Sequence, residues 1–204
     1  MIRILSIFYV LIFMSACSSI SYSTLPKLIK ESIWGYPKIE VDQSLFLSKE
    51  YSFINVRINE KASALLTLYS IEDEKHKWIG ANNEKIITHA KTGKILKTIS
   101  LPNDISIISE SIKIFDNSEG VQKKVFENPR ALVFEEVSVD YLGKETIKFL
   151  DKEVVVDVFQ ERVFWRQLNK KKINLYYYKD SKIVRSKQNI HSLNGYFVID
   201  YYFK

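Results

Sequence analysis

The chain is short of cysteine, glycine and histidine, and each shortage removes a class of function. Its one cysteine is Cys17, so no intramolecular disulfide can form and an exported domain of this size would have to be stable through its core. Its three histidines, His76, His89 and His191, stand far apart, with no His-x-x-x-His or Cys/His spacing, so no metal site is expected. The six glycines form no phosphate-binding loop and no Gly-x-Ser-x-Gly elbow, which argues against nucleotide use and against a serine nucleophile. No cofactor and no nucleic-acid partner are expected. Nor does any apolar run approach the roughly twenty residues that a membrane-spanning helix requires.

What is present begins at the first residues. Arg3 precedes an apolar run from Ile4 to Met14, and the small residues Ser15 and Ala16 lead to Cys17. A basic start, an apolar core of about a dozen residues and a small-residue cleavage site make a secretory signal. The order Met14-Ser15-Ala16-Cys17 resembles the bacterial lipobox, in which the thiol is lipidated and the chain is cut just before it. Because each buried methylene contributes about 0.8 kcal/mol, two or three acyl chains anchor firmly where one does not. The expectation is a signal peptide over 1–16, lipid on Cys17 and a polar tether over 17–23. Ser18 stands where inner-membrane lipoproteins typically carry aspartate, so the periplasmic face of the outer membrane in a Gram-negative bacterium is the expected location.

Residues 24–204 are read as a single β-rich domain. Thr24 caps an expected helix with Pro26 in its first turn, Leu25, Leu28, Ile29 and Ile33 on one stripe, and Gly35 past its end. Beyond Pro37 no stretch shows a helical period. Instead β-branched and aromatic residues fill short segments between polar clusters, and 13% of the chain is aromatic. Expected strands include 51–58, 64–71, 78–79, 86–88, 95–101, 105–115, 131–141, 145–150, 154–165, 173–178, 183–186 and 196–203. Turns are expected at Asn59-Glu60-Lys61, Lys91-Thr92-Gly93-Lys94 and Gly143, with a basic turn over Asn169–Lys172. The fold class expected is mainly β: one antiparallel barrel-like or sandwich domain of about ten strands with one N-terminal helix.

The net charge of +6 is spread through the chain and fits an anionic partner or a plain solvated surface equally well. Acidic runs at Glu72-Asp73-Glu74 and Glu135-Glu136 could serve a glycosidase, which needs two carboxylates flanking a sugar bond, although the first sits in an expected turn where solvated charge is the simpler reading. Sugars are held by aromatic faces and planar polar groups, and Trp78 with His89 and Lys97 is the candidate glycan or partner contact. The plainer alternative makes Trp78 a core anchor and the other two surface residues.

Several short motifs, taken in order, resemble one family. They are the lipobox, then Val56-Arg57-Ile58-Asn59, Lys77-Trp78, Thr88-His89 and Gly93-Lys94-Ile95-Leu96-Lys97-Thr98. In the second half they are Leu142-Gly143, Glu161, Asn174, Tyr178 with Asp180, and Val184-Arg185-Ser186-Lys187-Gln188. Their order and spacing are similar to those of the YjbF and GfcB lipoproteins associated with group 4 capsule and exopolysaccharide. The departures are Ser181-Lys182 where Thr-Gly is expected, and Asp151-Lys152-Glu153 where a glycine is expected after Leu150. The resemblance implies a β-rich, barrel-like domain with a non-enzymatic accessory role in polysaccharide assembly or export, in contact with glycan or with other secretion proteins. It implies no catalytic residues. The alternatives are a polysaccharide-modifying enzyme and a periplasmic carrier with an apolar cavity.

Overall fold

The computed structural model describes residues 39–60, 62–101, 103–109, 119–127, 129–193 and 195–204. The signal segment 1–16, Cys17, the tether 17–23 and the helix expected from Thr24 lie outside the described residues.

Among the described residues the chain forms twelve strands: β1 Phe53–Ile58, β2 Ala62–Glu72, β3 Lys75–Ile79, β4 Lys85–His89, β5 Ile95–Ile99, β6 Ile105–Ser109, β7 Glu119–Glu127, β8 Arg130–Phe149, β9 Lys152–Trp165, β10 Lys170–Lys179, β11 Lys182–Asn189 and β12 Tyr196–Tyr202. Each pairs antiparallel with its neighbours in sequence. β12 returns to β1 through six paired positions, from Phe53 with Tyr202 to Ile58 with Phe197, and so closes a barrel. Closure leaves no exposed sheet edge.

An eight-stranded barrel is just filled by side chains, whereas much larger ones leave a channel. A twelve-stranded barrel therefore needs bulk to close its lumen, and here the aromatic content supplies it. Trp78, Trp165, Tyr176, Tyr178, Phe197 and Tyr201 are fully buried in one cluster with Ile54, Ile86, Ile95 and Ile105. The turn between β4 and β5 adds to the filling: Thr92, Gly93 and Lys94 are buried, and the Gly93 carbonyl accepts hydrogen bonds from Tyr201 Oη at 2.7 Å and Gln188 Nε2 at 2.9 Å.

The hairpins show how a glycine-poor chain turns. Asp73-Glu74, Leu150-Asp151 and Asp180-Ser181 each make a two-residue connection with both residues at φ between +48° and +63°. Tight hairpins require that left-handed geometry, and glycine or asparagine usually provides it. The residues that depart from the family's turn pattern lie in or beside two of these connections.

Four elements differ from expectation. α1, Gln43–Ser48, was not legible because six residues cannot display a helical period; Asp42 caps it, its carboxylate accepting from the Leu45 amide at 2.7 Å. Its Phe46 ring lies 6.5 Å from Phe53 and 6.3 Å from Tyr202, so the outer face of β1 is covered and Phe53 and Asn55 are buried along with the inward Ile54 and Val56. β7 was missed because two of its three buried inward positions, Gln122 and Lys124, are polar and only Phe126 is apolar. Gly143 is a bulge, not a turn. At φ +108° it shifts the register between Tyr141 and Gly143, and β8 runs through it for twenty residues. The basic stretch after Asn169 is already strand β10, with a single turn of 3-10 helix, Arg166–Leu168, before it.

Beyond the bulge, the β8–β9 arm packs against the outside of the barrel. Ile147, Val156 and Val158 form a second small core with Val184 and the partly buried Leu175 and Tyr177 of β10, and Phe149 stacks on Tyr202 at 5.1 Å.

Candidate functional site

The three residues chosen from sequence are not brought together on one surface. Trp78 lies inside the barrel with 0% of its surface exposed; its Nε1–H donates to Thr88 Oγ1 at 2.9 Å, and its ring meets His76 edge-on at 5.5 Å. Lys97 is exposed on β5, where register pairs it with Ile87, next to the inward pair of Ile86 with Thr98. His89, at the end of β4, accepts from the Thr92 amide at Nδ1 (3.3 Å) and stands 3.9 Å from Glu74. The alternation of a strand separates Trp78 from Lys97: one faces the core and the other the solvent.

Part of the set that carried the family resemblance, Lys94, Glu161, Asn174, Tyr178 and Gln188, lies in the barrel interior. Lys94 Nζ bridges Glu161 Oε1 at 2.5 Å, and Glu161 Oε2 accepts from Asn174 Nδ2 at 2.7 Å and Tyr176 Oη at 3.0 Å. Gln188 Oε1 accepts from the Ile95 amide, and Tyr178 Oη donates to the Thr92 carbonyl. Burial pushes the Glu161 carboxyl up, but the Lys94 charge and these hydrogen bonds outweigh it and hold the group below the ordinary carboxylate range. Burial, reinforced by the Glu161 charge, drives the Tyr176 phenol well above its usual value, so it remains a donor.

A second buried pair, Lys124 with Glu135 at 2.5 Å, also receives Trp165 Nε1–H at 2.5 Å and Gln122 Nε2–H. Both clusters are buried, and every charge in them is paired, while Gln122 Oε1 has no hydrogen-bond partner among the described residues. They register strands and fill volume in the barrel interior. Nor do the acidic runs make a glycosidase pair: Glu135 points inward while Glu136 points outward to Arg166, and Glu72 and Glu74 are exposed and bound to Lys77 and Lys91. An apolar carrier cavity would have to occupy the lumen that the aromatic cluster fills.

A groove of about 640 Å³ lies outside the barrel, across β7, β8, β9 and β10. Cross-strand register builds it as two rows of outward residues: Val121, Glu136, Phe164 and Lys171, then Glu119, Ser138, Arg162 and Ile173. Val121 and Ile173 are exposed at 48% and 53%, so together with Phe164 they give the groove an apolar floor. Arg162 is held in place by Asp140 at 2.7 Å and by Ser138 Oγ at 3.3 Å, and Arg166 is held by Glu136. Lys171 and Lys172 make no ion pair among the described residues. Four cations against two carboxylates leave the lining positive. Sequence reading missed this site because half of its first row sits on β7 and β8 positions chosen by register. The alternation Arg162-x-Phe164-x-Arg166 followed by three lysines was the available signal.

Among the described residues no group of three His, Cys, Asp or Glu side chains comes together as a metal would need.

Comparison with known proteins gives three findings. The chain matches the model of the family described as YjbF, group 4 capsule polysaccharide lipoprotein gfcB, over residues 27–200. It is 26% identical over 170 residues to an uncharacterized lipoprotein GfcB of Escherichia coli (strain K12), covering 78% of this chain and 77% of that one. The crystal structure of the hypothetical lipoprotein YmcC from Escherichia coli (K12) has the same fold, with a TM-score of 0.70 at 19% identity, covering 91% of this chain and 98% of that chain.

Proposed function

This chain belongs to the YjbF family of group 4 capsule polysaccharide lipoproteins, and from that premise we propose that it is a non-enzymatic accessory lipoprotein of the outer membrane, lipidated on Cys17, that contacts acidic polysaccharide through the groove on β7–β10. The observation that carries this reading is the groove's combination of an apolar floor with a surplus of cations on its rim. Arginine pairs a carboxylate with fixed geometry, and an aromatic or aliphatic floor receives the C–H face of a sugar ring. Two arginines already oriented by Asp140 and Glu136 lose less freedom on binding than free side chains would. Two unpaired lysines beside them add attraction that salt will screen.

The test uses the full lipidated chain in detergent, titrated with an acidic capsular polysaccharide and with the same polymer after its carboxyls are reduced to alcohols. Wild type binds the acidic polymer, more weakly as salt rises, and Lys171→Glu/Lys172→Glu binds about tenfold less tightly. Equal binding of the reduced polymer, or equal binding by the variant, would refute the proposal.

A further inference from the structure

A second and smaller recess, about 280 Å³, opens on the outer face of β1, β12 and β11, bordered by Ile39–Val41 and the tip of the β8–β9 arm. At its base Asp200 is clamped by two arginines, accepting from Arg57 Nη2 at 2.5 Å and from Arg185 Nε at 2.5 Å. Asn55, 3% exposed, donates its Nδ2–H to the Ile39 carbonyl at 2.9 Å. That bond fixes which way the amide faces and leaves Oδ1 directed elsewhere. Asn55 Oδ1 and Arg57 Nε are both buried and have no hydrogen-bond partner among the described residues. Buried polar groups are nearly always paired, so an unpaired acceptor and an unpaired donor on two residues that line the same recess point to a ligand that supplies both a donor and an acceptor.

The ligand must both donate and accept, which a hydroxyl does and a fully ionised sulfate or carboxylate does not. The charges agree. Arg57, Arg185 and Lys148 face Glu40, Asp151 and Asp200, and the lining carries no surplus of either sign to select an ion. One wall is aromatic, with Tyr202 stacked against Phe149. The volume lies just under the roughly 300 Å³ at which pockets for drug-sized ligands begin, enough for one ring and not for a chain of them. Asn55 and Arg57 stand two apart on one face of β1, roughly 7 Å between Cα atoms, so both reach a single ring. We propose that this recess binds one neutral sugar residue through its hydroxyls, at a site separate from the groove on β7–β10.

The full lipidated chain, held in a sugar-free detergent, is examined by saturation-transfer NMR with methyl α-D-glucopyranoside and methyl α-D-galactopyranoside as probes and with glucuronate and sulfate as anionic controls. One or both neutral glycosides bind, and the anions do not compete. Arg57→Lys keeps a cation beside Asp200 but lacks the Nε–H, and it weakens binding about tenfold. Val41→Trp fills the mouth of the recess without touching its polar groups and abolishes binding, with melting temperature showing that both variants fold. Lys171→Glu/Lys172→Glu, which disables the groove, leaves glycoside binding unchanged. The proposal is overturned by absence of transfer at tens of millimolar glycoside, by preferential binding of glucuronate or sulfate, or by full binding in folded Arg57→Lys and Val41→Trp.

Discussion

The Lys94–Glu161 pair sets up a quantitative test of what the barrel interior contributes. Both side chains are within a few per cent of complete burial. Removing one partner from a buried pair strands the other charge and costs about 3–5 kcal/mol. Lys94→Met and Glu161→Gln should each show that loss in urea unfolding at pH 7, or a fall in melting temperature of roughly 6–20 °C for a domain of this size. Against a total stability of about 5–15 kcal/mol, either variant is close to the threshold of folding, so measurement at low temperature is preferable. The double variant Lys94→Met/Glu161→Gln leaves no charge behind and should be more stable than the sum of the singles implies, by about 1–3 kcal/mol of coupling.

Acidity sharpens the same test. In the wild type the Glu161 carboxyl is held below its ordinary value, so its contribution is present above the unfolded-state pKa and is lost as pH falls through the folded one. In Lys94→Met, burial acts on Glu161 without the opposing ammonium; the folded-state group then takes up a proton more readily, and the gap to wild type narrows from pH 7 to pH 5. A single substitution costing under about 1 kcal/mol, or strictly additive singles, would refute the assignment of this pair as a coupled structural element.

Three further outcomes are expected. Gly93→Ala places a Cβ 2.8 Å from Ile183 Cγ1 and 3.1 Å from Tyr201 Oη at φ +68° and should cost about 2–4 kcal/mol; Gly143→Ala meets nothing within 4 Å and should cost roughly 1–2 kcal/mol from backbone strain alone, both read by chemical denaturation. Burial lowers the pKa of His76 and of His191, aided by the His89 and Lys124 charges respectively; the unfolded chain therefore protonates first, and the melting temperature drops as pH falls below about 6.5, a slope that His76→Phe/His191→Gln should flatten. Cys17→Ser should abolish incorporation of labelled fatty acid and release the protein from the outer-membrane fraction, whereas retention of label would remove the lipid anchor from that cysteine.

Strand identity was legible wherever a core-facing apolar row alternated with solvent, as in β2 and the Trp78 and Ile86 rows of β3 and β4. It was illegible where the interior itself is polar. Gln122, Lys124, Glu135 and Glu161 carry no local sign of burial, because a lone chain does not reveal the partner that each meets on another strand. The bulge at Gly143 read as a turn for a related reason: a glycine between two strand-like segments reverses or bends a strand according to what lies opposite it, and here β9 continues alongside. The groove on β7–β10 depends on register, which sequence specifies only through pairing. The family motifs, by contrast, are local strings and were readable as they stand.

The pairing of β1 with β12 also governs when the molecule can come into being. The two halves of the Arg57–Asp200 contact are separated by 143 positions, among the most distant associations the chain makes, and bringing such remote segments together is entropically slow. Until Tyr196–Tyr202 has emerged, β1 and β11 each present an unsatisfied row of amides and carbonyls, a surface that invites aggregation or proteolysis. A product lacking the β12 segment cannot seal the barrel, and its β1 and β11 edges stay open to pairing with other chains.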